Sequence, residues 1–212
     1  MNPPNHLVHD IIIPSTLESE RLLLRPYRFT DAPVLAQTIE EERERLREDF
    51  PDRVSSVHST RDAELFITEK SRQWKGREAF HFGIWERGGE RYAGEICLRS
   101  IDWRVPRADV GYYLCRRFER KGIMVEALRK MIPLAFDVLQ IRKMQIRCAV
   151  SNVRSRRVAE RCGFRLEGVL RNDAVRADGT TLVNVVYYGL TPDDRRGHKL
   201  RPPDAGGLTG GA

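Results

Sequence analysis

The chain has 212 residues, of which 41% are hydrophobic and 32% charged, with a formal net charge of +7. This length can bury one sizeable core, and this balance excludes a disordered or fibrous chain. No apolar run approaches the roughly 20 residues of a membrane span, and the four scattered cysteines lack the Cys-x-x-Cys spacing of zinc or dithiol motifs. The surplus of positive charge favours anionic ligands without choosing among a nucleotide cofactor, RNA and an acidic protein. The opening residues Met1–His6 lack a basic region followed by an apolar block, so a cytoplasmic location is expected, with no metal.

In chain order, Ile11-Ile12-Ile13 before Pro14 reads as an edge strand or as an arm on a partner. Residues 21–25 form a short apolar strand ended by Pro26. Thr30 or Asp31 caps a helix over 32–47 whose Leu35, Ile39 and Leu46 face inward. The dense charge run 40–49 reads as a solvated helix face with i,i+4 pairs. Ser59 or Thr60 caps a second helix, to Trp74. The period then falls to two, and residues 80–85 and 92–101 read as a hairpin through Gly88-Gly89. His81 lies among aromatics there, where a packed core histidine is the commoner outcome than a ligand or a base. Residues 108–115 form the third strand of this meander, and Gly111 marks a bulge or a close backbone approach.

A basic turn follows, Arg116-Arg117-Phe118-Glu119-Arg120-Lys121-Gly122. It leads into a helix over 123–139 that carries Met124, Leu128, Met131, Ala135 and Leu139 on one face and is kinked or divided at Pro133. Residues 143–150 form an alternating strand. Ser151 or Asn152 caps a short helix that stops at Cys162-Gly163. Residues 164–170 and 182–190, with a turn at Asp178-Gly179, are the last strands. The order specifies one α+β domain over 17–191 with a central mixed, mostly antiparallel sheet. An arm, 1–16, precedes it, and a Pro/Gly/Arg-rich tail, 192–212, is expected to be disordered.

The turn between the third meander strand and the following helix is a physical device for holding phosphate. The first N–H groups of a helix have no partner within it, and the dipole there is positive. Arg116, Arg117, Arg120 and Lys121 add charge, and Gly122 admits close approach. The turn is neither Gly-x-x-x-x-Gly-Lys-Ser/Thr nor Gly-x-Gly-x-x-Gly, so a P-loop and a dinucleotide fold are excluded.

Several motifs coincide with this turn: Glu18-Ser19-Glu20-Arg21-Leu22-Leu23-Leu24-Arg25, Asp109-Val110-Gly111-Tyr112-Tyr113-Leu114, Ser151-Asn152-Val153-Arg154-Ser155, Arg161-Cys162-Gly163-Phe164 and Glu167-Gly168. Together, over about 17–191, they resemble the GNAT acyltransferases, in the RimJ/RimL branch of N-terminal and small-amine acetyltransferases. The resemblance implies the acyl-CoA N-acyltransferase fold and acetyl-CoA as cofactor. It implies a pyrophosphate loop over Arg117-Phe118-Glu119-Arg120-Lys121-Gly122, leading into Ile123 and Met124. Arg120 stands where the family usually has Gly, and an Arg there obstructs the phosphate if the position needs a positive φ. The resemblance also implies a pantetheine arm between two strands that splay apart, met by backbone amides of Tyr113, Leu114 or Cys115, and by Asn152. Many relatives protonate the departing thiolate with a Tyr, whose position here is Ala159. The branch instead carries a Ser, matching Ser155. For the base, Asp109 matches an acidic position of the branch and Asp173 lies in the loop before the last strand, with Glu95 on a neighbouring strand.

The expected activity is transfer of acetyl from acetyl-CoA to a primary amine, either a protein N-terminus or a small amine. Ribosome association and a homodimer are the further partners considered, the oligomeric state not being set by the sequence. A non-catalytic CoA-binding or regulatory protein is the alternative, resting on Arg120 and the missing Tyr. RNA binding rests only on the net charge and the Arg-rich tail, without the clustered aromatics that stack bases.

Overall fold

The computed structural model describes residues 11–48, 50–88 and 91–197. The expectations that fall on residues 1–10, Asp49, Gly89 and 198–212 lie outside these. One eight-stranded sheet runs in the order β1-β2-β3-β4-β5-β6-β8-β7. Its strands are β1 (Leu17–Glu18), β2 (Leu22–Arg25), β3 (Phe80–Glu86), β4 (Tyr92–Asp102), β5 (Arg107–Leu114), β6 (Lys143–Ala149), β7 (Arg165–Val175) and β8 (Leu182–Leu190). All neighbouring strands run antiparallel except β5 and β6. This is the mixed, mostly antiparallel α+β architecture that the order of elements implies.

Helix α1 (Ala32–Leu46) buries Leu35, Ile39 and Leu46, as its spacing requires. A short helix, α2 (Pro51–Ser56), was not legible in the sequence. Its six residues carry no apolar period, and Pro51 at the first turn is the one local signal. In α3 (Thr60–Lys75) the cap is Ser59, whose side chain accepts from the Asp62 N–H. The triple-Ile run forms no strand; Ile13 packs on the core while Ile12 is exposed.

Proline divides the central helix as expected. The α-helix α4 (Ile123–Pro133) gives way to a π-turn over Leu134–Val138. Pro133 has no N–H to give, and the wider turn re-registers the carbonyls. Asn152, rather than Ser151, caps α5 (Val153–Arg161), and Gly163 ends it at φ 86°. The tail does not begin at 192. Pro192–Arg195 form a helical turn, α6, capped reciprocally by Thr191 and Asp194 and tied back by the Arg165–Asp194 (2.9 Å) and Arg195–Asp137 (2.7 Å) pairs.

The core lies between the sheet and the helices, with Phe80, Phe82, Ile96 and Leu98 fully buried beside Leu128 and Met131. Val110 and Ala108 continue this face on β5. Alternation puts His81, Glu95, Cys97, Gly111 and Tyr113 on the opposite face.

Candidate active site

Strands β5 and β6 pair only from Arg107↔Lys143 to Asp109↔Gln145, although β5 continues to Leu114 and β6 to Ala149. Beyond Asp109 they part. The opening lies in a groove of about 1660 Å³ lined by residues of β4, β5, β6, α4, α5 and β7. Parting exposes main-chain groups to the groove. The Cys115 N–H donates to the Ala93 carbonyl (2.8 Å). In the regular β4–β5 ladder alternate N–H groups point to opposite sides. The Tyr113 N–H therefore shares the β4 side with Cys115, and the Leu114 N–H points to the parted side. Of the three expected donors, Leu114 is the one aimed into the cleft.

The turn at the end of β5 brings a helix N-terminus to this cleft. Gly122 caps α4 at φ 75° with no side chain covering the first N–H groups. A Cβ at Gly122 would meet only the Arg21 guanidinium, at 3.8 Å. Gly122, Ile123, Met124 and Arg120 line the groove. Arg120 adopts φ 60°, the left-handed region where Gly is the natural residue. Arg117 and Lys121 are not in the groove lining. The Arg117 guanidinium donates to the Tyr92 carbonyl (3.2 Å) and lies over the Phe118 ring, which Lys121 also approaches.

Three clamps hold this turn, none of them evident from periodicity. On one side Glu126, in the first turn of α4, accepts from the Ser19 hydroxyl (2.6 Å) and from Arg21 Nε (2.7 Å), and Arg21 also donates to the Lys121 carbonyl (3.1 Å). Partial burial would raise the Glu126 pKa, but the Ser19 and Arg21 bonds outweigh it and hold the carboxyl below its usual range. On the other side Glu42 accepts from the Arg116 N–H (2.7 Å), while Arg45 donates to Glu42 (2.5 Å), to Glu119 (2.9 Å) and to the Leu114 carbonyl. Glu119 reaches on to Arg154 of α5 (2.5 Å). The charge run of α1 is thus more than a solvated face: Glu40–Arg43 (2.7 Å) fits the surface reading, at i,i+3 spacing, but Glu42 and Arg45 hold the turn.

Ser155 sits in the first turn of α5, where the Asn152 side chain accepts its N–H (3.0 Å). Its hydroxyl lies 3.0 Å from the Tyr112 hydroxyl, so Tyr112 of β5 fixes its direction across the cleft. Tyr112 belonged to a motif, but its side-chain contact with Ser155 was not evident from the sequence. The expected carboxylates separate. Asp109 stands at the last paired rung, outside the groove lining, 4.0 Å from Arg147. Asp173 is exposed on β7, lines the groove and accepts from the Tyr187 hydroxyl (2.6 Å), which raises the Tyr187 pKa. His81 and Glu95 come together on the groove wall, 3.1 Å apart.

A parted pair of strands, an uncapped helix N-terminus beside it and a hydroxyl at its mouth define an acyl-CoA-type transferase site. Residues 21–165 match the Acetyltransferase (GNAT) domain, and the chain belongs to that family. It is 33% identical over 183 residues to the "Putative ribosomal N-acetyltransferase YdaF" of Bacillus subtilis (strain 168), covering 85% of this chain and 97% of that one. Among solved structures, a putative ribosomal-protein-serine acetyltransferase from Vibrio cholerae is 28% identical with a TM-score of 0.68, over 84% of this chain and 97% of that one. The Microcin C7 self immunity acetyltransferase MccE, solved with acetyl-CoA and AMP, is 25% identical with a TM-score of 0.74, over 82% and 93% of the two chains. The chain is therefore an acetyl-CoA-dependent N-acetyltransferase. The uncapped α4 N-terminus, the open space at Gly122 and the parted strands fit that cofactor. Among the described residues no helix is long and apolar enough to cross a membrane.

Proposed function

We propose that this chain acetylates the primary amine of a protein N-terminus, with small amines as the second class of acceptor. The observation that carries the site assignment is the Tyr112–Ser155 hydroxyl pair across the parted strands. Acetyl-CoA supplies the activated acetyl group and the sulfur leaving group. The Ile123 and Met124 N–H groups, with Gly122, hold phosphate at the helix N-terminus, and Arg120 adds a cation at its rim. The Leu114 N–H donates to the oxyanion, an interaction worth about 3–4 kcal/mol per donor in acyl transfer. Ser155, directed by Tyr112, gives a proton to the departing sulfur. Asn152 keeps α5 and Ser155 in register. Asp173, exposed at the groove rim, attracts a cationic acceptor.

A protein acceptor is favoured by the names of two relatives, a putative ribosomal N-acetyltransferase and a ribosomal-protein-serine acetyltransferase, and by the open groove. Ribosome association follows from the same reading. A homodimer is proposed through the sheet edge, where β7 leaves Leu166, Val169, Leu170 and Val175 exposed. The test is acetyl transfer, followed by mass spectrometry, to peptides with free or blocked N-termini and to polyamines. Acetylation of the free N-terminus but not the blocked one is the expected result. Turnover confined to polyamines would overturn the protein acceptor.

A further inference from the structure

The groove holds two groups of proton-bearing side chains on opposite faces of the sheet. One is the Tyr112–Ser155 pair. The other is built around Glu95, whose neighbours are unusual for a β-sheet interior. The Glu95 carboxylate accepts from Tyr27 Oη at 2.5 Å through Oε2 and meets His81 Nδ1 at 3.1 Å through Oε1. Tyr27 Oη lies 2.7 Å from Tyr92 Oη, which lies 2.7 Å from Tyr113 Oη. Glu95 is 2% exposed and His81 7%, yet both belong to the groove wall together with Cys97, Gly111 and Tyr113. An acidic residue so deeply buried is retained only with a partner or a task.

Chemistry supplies the task. At neutral pH an acceptor amine arrives as an ammonium and must lose two protons before it is an amide. One goes to the CoA sulfur as the C–S bond breaks, by way of Ser155. The other must leave first, to free the nitrogen lone pair that forms the N–C bond, and it needs a second acceptor. We propose that His81, oriented by Glu95, is that acceptor, so that the amine is deprotonated on one face of the sheet and the thiolate protonated on the other. The inference rests on the acetyl-transfer reading of this same groove.

The geometry fixes the roles. In the tautomer this role requires, the Nδ1–H of His81 donates to Glu95 and Nε2 is the basic nitrogen, while Cys97 also hydrogen-bonds the ring. Tyr27 holds the second carboxylate oxygen, so the carboxylate cannot turn away. Gly111, opposite Cys97 in the β4–β5 register, keeps the wall low: a Cβ there would lie 3.1 Å from Cys97 Sγ and 3.3 Å from Arg99 Nε. The groups facing the pair are Tyr27 after β2, Tyr92 and Cys97 on β4 and Tyr113 on β5. Arg99 stands one pleat further along, and Glu69 and Lys70 of α3 line the rim. Burial lowers the His81 pKa, but Cys97 and Glu95 outweigh it and raise it above the usual value. The acceptor form of His81 is the neutral one. Turnover therefore rises with pH through the His81 value.

The test has two readouts on the full chain. The first is the imidazole C2–H titration by NMR, assigned with His81→Asn among the five histidines. Glu95→Gln should move the His81 midpoint to lower pH, without any cofactor present. The second is the pH profile of kcat/KM for a free N-terminal peptide. Its acid limb should follow the NMR midpoint in the wild type and shift down with it in Glu95→Gln. His81→Asn should lose that limb and about 100-fold in kcat, the low end for a positioned base, while acetyl-CoA affinity measured by calorimetry stays unchanged. An acid limb that stays in place in both variants, with acetylation retained, would overturn the role of the pair and leave the acetyl-transfer reading intact. No turnover of any amine by the wild type at any pH would overturn both.

Discussion

Arg120 offers a test in which conformation and charge separate. It holds φ 60° in the turn before Gly122, a region that costs an L-residue about 1–2 kcal/mol. Glycine does not carry that cost, but it loses about 0.5–1 kcal/mol more chain entropy on folding. Arg120→Gly should therefore stabilise the protein by roughly 1 kcal/mol, which is about 2–4 °C in Tm at this domain size. Arg120→Ala removes the same guanidinium but keeps the strained φ, so it should melt no higher than the wild type. Differential scanning calorimetry of the three proteins measures the conformational part. Titration of acetyl-CoA measures the charge part. Arg120 is exposed, and a screened cation at a surface is worth at most about 1 kcal/mol. Arg120→Gly should keep or tighten binding, because its relaxed turn offsets that small loss. An Ala variant that melts at or above the Gly variant would refute the strain argument. Substantially weaker binding in both variants would make Arg120 a phosphate ligand instead.

Ser155→Ala should lower kcat by about 10- to 100-fold, within the usual range for a positioned acid, with the KM for acetyl-CoA unchanged; an unaltered kcat removes Ser155 from the mechanism. Glu126→Gln breaks the Ser19–Arg21 clamp and should weaken acetyl-CoA binding about fivefold, the modest size reflecting the half-exposed Arg21; equal affinity would show that the turn keeps its shape unaided. The same carboxyl sets a pH dependence. Its folded pKa is depressed, so its contribution is fully present above the unfolded carboxylate value and is lost as pH falls through the folded one. The Glu126→Gln and wild-type melting curves should differ at neutral pH and converge in acid. Leu170→Glu, on the exposed β7 edge, should convert a dimer to a monomer in light scattering; an unchanged mass would place any self-association elsewhere.

The fold was legible because its signals are local. Period-two runs at 80–85, 92–101 and 108–115, a proline at 133 and a glycine at 163 each report on neighbours a few residues away. The α2 turn and the 192–195 helical turn were missed because six and four residues hold too little periodicity to register. The same limit explains His81. Read along the chain, it is a histidine among aromatics, and a packed core residue is the sensible expectation. Its partner is fourteen residues away on another strand, diagonal to it in the β3–β4 pairing, and the two meet only once the hairpin closes.

The phosphate-binding turn shows most clearly what sequence order conceals. Its own residues were legible, but a glycine-containing turn does not hold its shape through the backbone alone when one of its residues is an arginine at positive φ. Here the restraint comes from Ser19 and Arg21, more than 100 residues earlier, and from Glu42 and Arg45 on α1. Nothing in the charge run of α1 distinguishes Glu42 from Glu40 or Glu44, since all three suit a solvated helix. Their difference arises when β5 ends beneath Arg45, so that one guanidinium serves the Leu114 carbonyl, Glu42 and Glu119 together. The carbonyl that Arg45 takes belongs to the residue whose N–H points into the cleft. A change at Arg45 should therefore disturb both the turn and the oxyanion donor, and its effect on kcat should exceed that of any single surface salt bridge on α1.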